Sequence, residues 1–221
     1  MDATQRQMTY SEAVRKFKDN DVVGAFEAFD SIGGYGDSYT YLGYLAMNKA
    51  VSGTTMEFAA HCFAVSQKKG DAKAQMLMGE LARMVGDDEQ AAKYVQGAVA
   101  GLEAQAVGGD FFASYLLADY YLSTGDKSNA FTHALKSADS GYCASQFLVS
   151  QMYAEGSGTT PDETRAFAYL EKSAYKNYGE AQYALGFRYS KGNGVPQDDD
   201  MALKLYQMAA ESGISGAAYN L

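Results

Sequence analysis

The residues in this chain that could do chemistry are few, and their spacing argues against most chemistry. There are two histidines and two cysteines in 221 residues: His61, His133, Cys62 and Cys143. His61 and Cys62 are neighbours in a stretch with helical periodicity. On a helix they project roughly 100° apart, which does not pair a thiol with a base. No His-x-x-x-His, Cys-x-x-Cys or Glu-x-x-His spacing occurs, so neither a zinc nor a di-iron site is indicated. Gly156-Ser-Gly158 and Gly192-Asn-Gly194 resemble fragments of phosphate loops, but they lack the preceding strand, the third glycine and the lysine. Asp198-Asp199-Asp200 lacks the alternating ligands and distant Glu of a calcium loop. A carboxylate run there suits a helix N-terminus, where it caps free N–H groups and meets the positive end of the dipole. No catalytic residue, cofactor or metal is expected. A groove of helical repeats could in principle host acid–base carboxylates such as Glu80 and Asp119, and an enzyme is the remote alternative.

These features acquire a common explanation once the chain is aligned on Gly34, Gly70, Gly109, Gly141, Asn177 and Gly213. Each is followed four residues later by a small residue: Ser38, Ala74, Ala113, Ser145, Ala181 and Ala217. The pattern recurs about every 36 residues, the period of stacked helical hairpins. Such hairpins bury their apolar faces against their neighbours rather than in separate cores. Six repeats are expected, at about 7–37, 38–73, 74–112, 113–144, 145–180 and 181–216. Ala217-Ala-Tyr-Asn-Leu221 reads as the opening of a seventh without its partner helix, either because the parent protein continues or because these residues form a short stub covering the last helix.

The last two full repeats are the clearest. The sequence from Ala181 reads A-Q-Y-A-L-G-F-R-Y, then Gly192-Asn-Gly194-Val-Pro196-Gln-Asp198, then a second helix from Ala202 to Ala210. Leu185 and Tyr189 lie four apart and should face the sister helix, while Ala181 and Ala174 are small where helices cross. Gly192 and Gly194 should break the first helix, and Asn177 replaces glycine at a left-handed position. Pro196 cannot continue a helix and is tolerated just before one.

The pattern A-x-x-x-L-G-x-x-Y, G-x-G-V-P-x-D, A-x-x-x-aromatic-x-x-A-A-x-x-G resembles the Sel-one-like repeat (SLR), a longer-looped relative of the tetratricopeptide repeat. The resemblance covers nearly the whole chain. It is strongest at 145–180 and 181–216, weaker at 38–73, where Leu42-Gly43 persists without the Pro, and weaker still at 74–112 and 113–144. In the last of these the loop shrinks to Ser123-Thr-Gly125-Asp126. The resemblance implies an all-α fold, a right-handed α-solenoid of antiparallel helix pairs. It also implies a non-catalytic scaffold or adaptor that binds another protein on its concave face.

In such solenoids the first helix of each repeat lines that face. The residues two and six beyond the small residue should point into it: Thr40 and Tyr44, Met76 and Glu80, Tyr115 and Asp119, Phe147 and Gln151, Tyr183 and Phe187. Interhelical packing is the competing reading for Tyr115, Phe147 and Tyr183. The alternative function, an immunity-type inhibitor that neutralises a secreted bacterial toxin, rests on the acidic charge. That charge is −9, which opposes binding to nucleic acid or an anionic membrane and is compatible with a basic protein partner. No apolar run approaches the roughly 18 residues of a membrane helix. Cys62 and Cys143 fall in distant repeats, beyond the reach of a disulfide. Met1–Asp21 is polar and does not read as a leader. The compartment expectation leans to periplasmic with a leader removed, against which the unpaired cysteines favour the cytoplasm.

Overall fold

The computed structural model describes residues 1–220; Leu221, the last residue of the expected seventh repeat, lies outside them. Among the described residues the secondary structure is helical, in thirteen helices that pack consecutively. They are α1 (Ala3–Lys18), α2 (Val22–Ser31), α3 (Ser38–Met47), α4 (Met56–Lys68), α5 (Ala72–Met84), α6 (Asp88–Val107), α7 (Phe111–Thr124), α8 (Lys127–Asp139), α9 (Cys143–Glu155), α10 (Glu163–Ala174), α11 (Gly179–Lys191), α12 (Asp199–Glu211) and the short α13 (Ser215–Tyr219). Pairs from α1–α2 to α11–α12 are repeats 1 to 6. Asp2 caps α1 by accepting from the Gln5 N–H at 2.8 Å. Cys143, expected in a turn, is the first residue of α9.

The start and stop signals act where the sequence places them. Every second helix opens on a capping side chain: Asp21, Thr55, Asp87, Asp126, Asp162 and Asp198 each accept a backbone N–H from the first turn. Such a cap stabilises a helix by about 1 kcal/mol. The aligned positions Gly34, Gly70, Gly109, Gly141, Asn177 and Gly213 all have positive φ, Asn177 at 58°. There the chain leaves one hairpin and turns into the next.

The chain divides into two compact units, the first from Met1 to Leu116 and the second from Leu117 onward. In the second unit one apolar cluster joins Ala130, Ala134 and Ala138 of α8 to Val149, Met152 and Tyr153 of α9. Another joins Ala174, Ala181, Leu185 and Leu205, with Tyr189 packed against it. The small residues sit at helix crossings and the Leu185–Tyr189 pair faces the sister helix, as the pattern requires.

The first unit has an aromatic centre. Phe29 stacks on Tyr41 at 4.7 Å between centroids, and Phe17 meets Tyr41 edge-on at 4.9 Å. Phe112 reaches the same group, 5.2 Å from Tyr41 and 5.4 Å from Phe17. Helices pack closely beside it. A Cβ on Gly43 of α3 would lie 2.5 Å from the Phe63 ring and 3.1 Å from the Ala59 carbonyl oxygen of α4. Gly43→Ala should therefore destabilise the first unit by about 1–3 kcal/mol, the range for overpacking, measured by urea denaturation.

An ionic tie lies beside the aromatics. The Lys73 side chain is only 3% exposed, and its ammonium meets three aspartates that begin three different helices: Asp37 at 2.7 Å, Asp71 at 3.9 Å, and Asp110. Asp71 also accepts from Thr40 Oγ1 at 2.5 Å and from Gln105 Nε2 at 3.3 Å. Tyr10 donates to Asp37. Burial pulls the Lys73 pKa down, but the three carboxylates outweigh it and hold the value above that of an ordinary lysine. Burial and the same carboxylates push the hydroxyls of Tyr10 and Tyr41 up, so both stay protonated donors.

Candidate interaction surface

The first helix of each repeat was expected to present a groove, and the two units treat that expectation differently. In the first unit the nominated residues are largely taken up by internal packing. Thr40 is fully buried and bonded to Asp71, and Met76 is buried. Tyr44 packs edge-on against Phe17 at 5.8 Å and Phe112 at 4.9 Å. Tyr115 stacks on Phe112 at 6.1 Å. Glu80 is half-buried. Phe17 of α1 meets Phe111 and Phe112 of α7, at 6.3 and 5.4 Å between ring centroids, beside these residues.

In the second unit the nominated residues reach the surface. Asp119 and Gln151 are exposed, Phe147 and Tyr183 are half-buried, and Phe187 is 46% exposed. Phe147 and Gln151 of α9 share a cleft of about 150 Å³ with Ala184 and Arg188 of α11, floored by Leu170 of α10. Arg188 is held in place by an ion pair with Glu163 and by the Phe167 ring, 5.9 Å from its guanidinium carbon. Lys191 sits over Phe187 at 6.0 Å. Tyr183 turns towards α12, 5.6 Å from Tyr206, and its hydroxyl accepts from Asn220 Nδ2 at 3.3 Å. Packing thus engages Tyr183, while Phe147, Gln151 and Phe187 keep accessible surface.

Three of these features were absent from the sequence reading. Ala184 and Arg188 lie three and seven residues beyond Ala181, the positions of one first helix that face its predecessor. Pairing those offsets with the two-and-six stripe of the preceding helix would have found them. Nothing local marks Lys73 as buried, since its partners lie in three separate turns.

Among the described residues no group of three His, Cys, Asp or Glu side chains is placed to hold a metal ion, and no helix is long and apolar enough to cross a membrane. Cys62 and Cys143 are buried free thiols. Burial, with a smaller contribution from Asp30, pushes the Cys62 thiol up to about 11, so it is neutral and unreactive near pH 7.

Comparison with known proteins agrees with this geometry. Residues 112–142, 143–178 and 179–214 match the family described as the Sel1 repeat. The chain is similar to a Sel1 repeat protein from Oxalobacter formigenes, whose crystal structure is 33% identical with a TM-score of 0.51. That match covers 55% of this chain and 95% of the other. A protective antigen of uropathogenic Escherichia coli, displaying an SLR fold, is 23% identical with a TM-score of 0.52. It matches over 99% of this chain, which spans 49% of the antigen's length. No curated protein matches the chain.

Proposed function

This chain belongs to the Sel1 repeat family, and from that premise we propose that it is a non-catalytic interaction module that grips a partner protein on the α9–α11 face of its second unit. The observation that carries the reading is Phe187, a large aromatic left 46% exposed beside a cleft whose walls are already ordered. Exposed aromatics on rigid helices are the usual anchors of protein interfaces, because they bury much area at little entropic cost. Arg188 and Gln151 supply polar groups around that anchor, and Arg188 is fixed before a partner arrives. Pre-ordering of this kind lowers the entropic cost of binding.

The net charge of −9 favours a basic partner. A narrower form of the same reading is an inhibitor that covers the basic mouth of a secreted toxin. The test is an affinity pull-down from the native extract with increasing salt, run beside Phe187→Ser. We expect one dominant partner, released at moderate salt, whose affinity falls by about tenfold or more in the variant. The variant's thermal melt should stay unchanged. A toxin as the captured protein supports the inhibitor; a multi-component assembly supports an adaptor. A partner held equally well by Phe187→Ser would remove this face from consideration.

A further inference from the structure

The repeats differ in how they cover the start of a second helix. In repeat 5 the long connection between α9 and α10 folds back over α8. A Cβ on Gly158 would lie 2.0 Å from the Lys127 carbonyl oxygen and 3.0 Å from Phe131 Cβ. In repeat 6 the equivalent Gly194 lies over α10, with Glu163 and Arg188 3.7 Å from the same imagined atom. The loop of one repeat thus seals the opening turn of the preceding second helix.

Repeat 3 has no such loop. Its connection from α5 to α6 is only Val85-Gly86-Asp87. The opening turn of α4, which a longer loop would cover, is bare. A second deletion coincides with the first. Five residues after the cap, α2, α8 and α10 carry Phe26, Phe131 and Phe167, whereas α4 carries Ala60. Alanine recurs at this position only in α6, as Ala92, and α12 has Leu203. The result is a groove of about 300 Å³ beside Ala60, walled by Met56, Met78, Leu81 and Val85. Val85 is 82% exposed and its neighbour Met84 61%. Methionine walls adapt to an incoming side chain. Glu57 stands at the edge of the groove, and Asp87, Asp88 and Glu89 follow Val85 directly. These acids outnumber Arg83 and Lys93, and Lys93 is already paired with Glu89.

We propose that this groove is a second docking site, taking an extended segment of a partner protein in place of the missing repeat loop. The segment carries an aromatic or large aliphatic side chain that fills the volume left by Ala60, next to a Lys or Arg that meets Glu57. The same molecule supplies the precedent: a loop backbone and a phenylalanine occupy the equivalent position at α8. The site is separate from the α9–α11 face and does not depend on it.

The experiment is selection of a phage-displayed random dodecapeptide library on the intact protein, followed by binding of the enriched peptides to wild type, Ala60→Phe and Glu57→Gln. Enriched peptides should share an aromatic or large aliphatic residue beside a Lys or Arg. Ala60→Phe should weaken them by about tenfold or more, and Glu57→Gln by a few-fold that shrinks with added salt. In methyl NMR the Met56 and Met78 signals should move on peptide addition. Ala60→Phe restores a side chain that three of the other repeats carry, so its melting temperature should hold or rise. Failure to enrich any peptide, peptides indifferent to Ala60→Phe, or Met56 and Met78 signals that stay put would each overturn the proposal. So would sedimentation showing a dimer abolished by Ala60→Phe, because the groove would then belong to a second copy of the chain.

Discussion

Lys73→Met should lower the stability of the first unit by about 3–5 kcal/mol, the scale for removing one partner of a buried ionic group. The substitution keeps most of the side-chain volume, so little of the loss comes from a cavity. What it removes is the cation that meets Asp37, Asp71 and Asp110, and those carboxylates are then left facing one another. Because each aspartate begins a different helix, repulsion there works against the mutual placement of α3, α5 and α7. Neutralising two of the carboxylates in the same background, as Lys73→Met/Asp37→Asn/Asp110→Asn, should recover part of the loss. A variant destabilised only through packing would show no such recovery. The pH dependence has a definite sign. Lys73 has a raised pKa in the folded state, so its contribution is complete below the ordinary lysine range and fades only as pH rises through the raised value. The gap between wild type and Lys73→Met should therefore be largest at neutral pH and narrow in strong alkali. Denaturation should be followed by a signal local to the first unit, since two compact units need not unfold as one transition.

The helix starts and turns were legible because they are set by local stereochemistry. A left-handed residue, a small residue four positions later and a capping Asp or Thr before each second helix are properties of single positions, and they recur whatever the neighbours do. The same pattern located the first-helix stripe, and in the second unit that stripe brings Phe147 and Gln151 to the surface. It could not show that Phe17 and Phe112 converge on Tyr44 in the first unit, because those contacts join α1, α3 and α7 across the intervening sequence. Lys73 was illegible for the same reason. A lysine in the first turn of a helix reads as solvated until three aspartates from separate turns are seen to converge on it. The groove at Ala60 was half-written: the short connection after α5 and the missing phenylalanine are both in the sequence. Their consequence appears only when Gly158 is seen seated against α8.

Gly158→Ala should destabilise the second unit by about 2–5 kcal/mol, and the reason can be separated into two parts. The residue has φ of 74°, in the left-handed region, where a Cβ costs about 1–2 kcal/mol. Its Cβ would also overlap the Lys127 carbonyl, a backbone atom that cannot swing aside as a flexible side chain would. Relieving that overlap adds a packing cost of about 1–3 kcal/mol. Gly70→Ala is the control, because Gly70 has φ of 82° with open space around it and should show the conformational cost alone. The difference between the two variants then measures how firmly the loop is seated on α8. If seating matters, Gly158→Ala should lift the connection from Gly156 to Asp162 and speed amide exchange there and in the first turns of α8. It should also expose Phe131, making the start of α8 resemble the bare start of α4. Equal costs for Gly70→Ala and Gly158→Ala, with unchanged exchange at α8, would mean that the loop does not seal the helix beneath it.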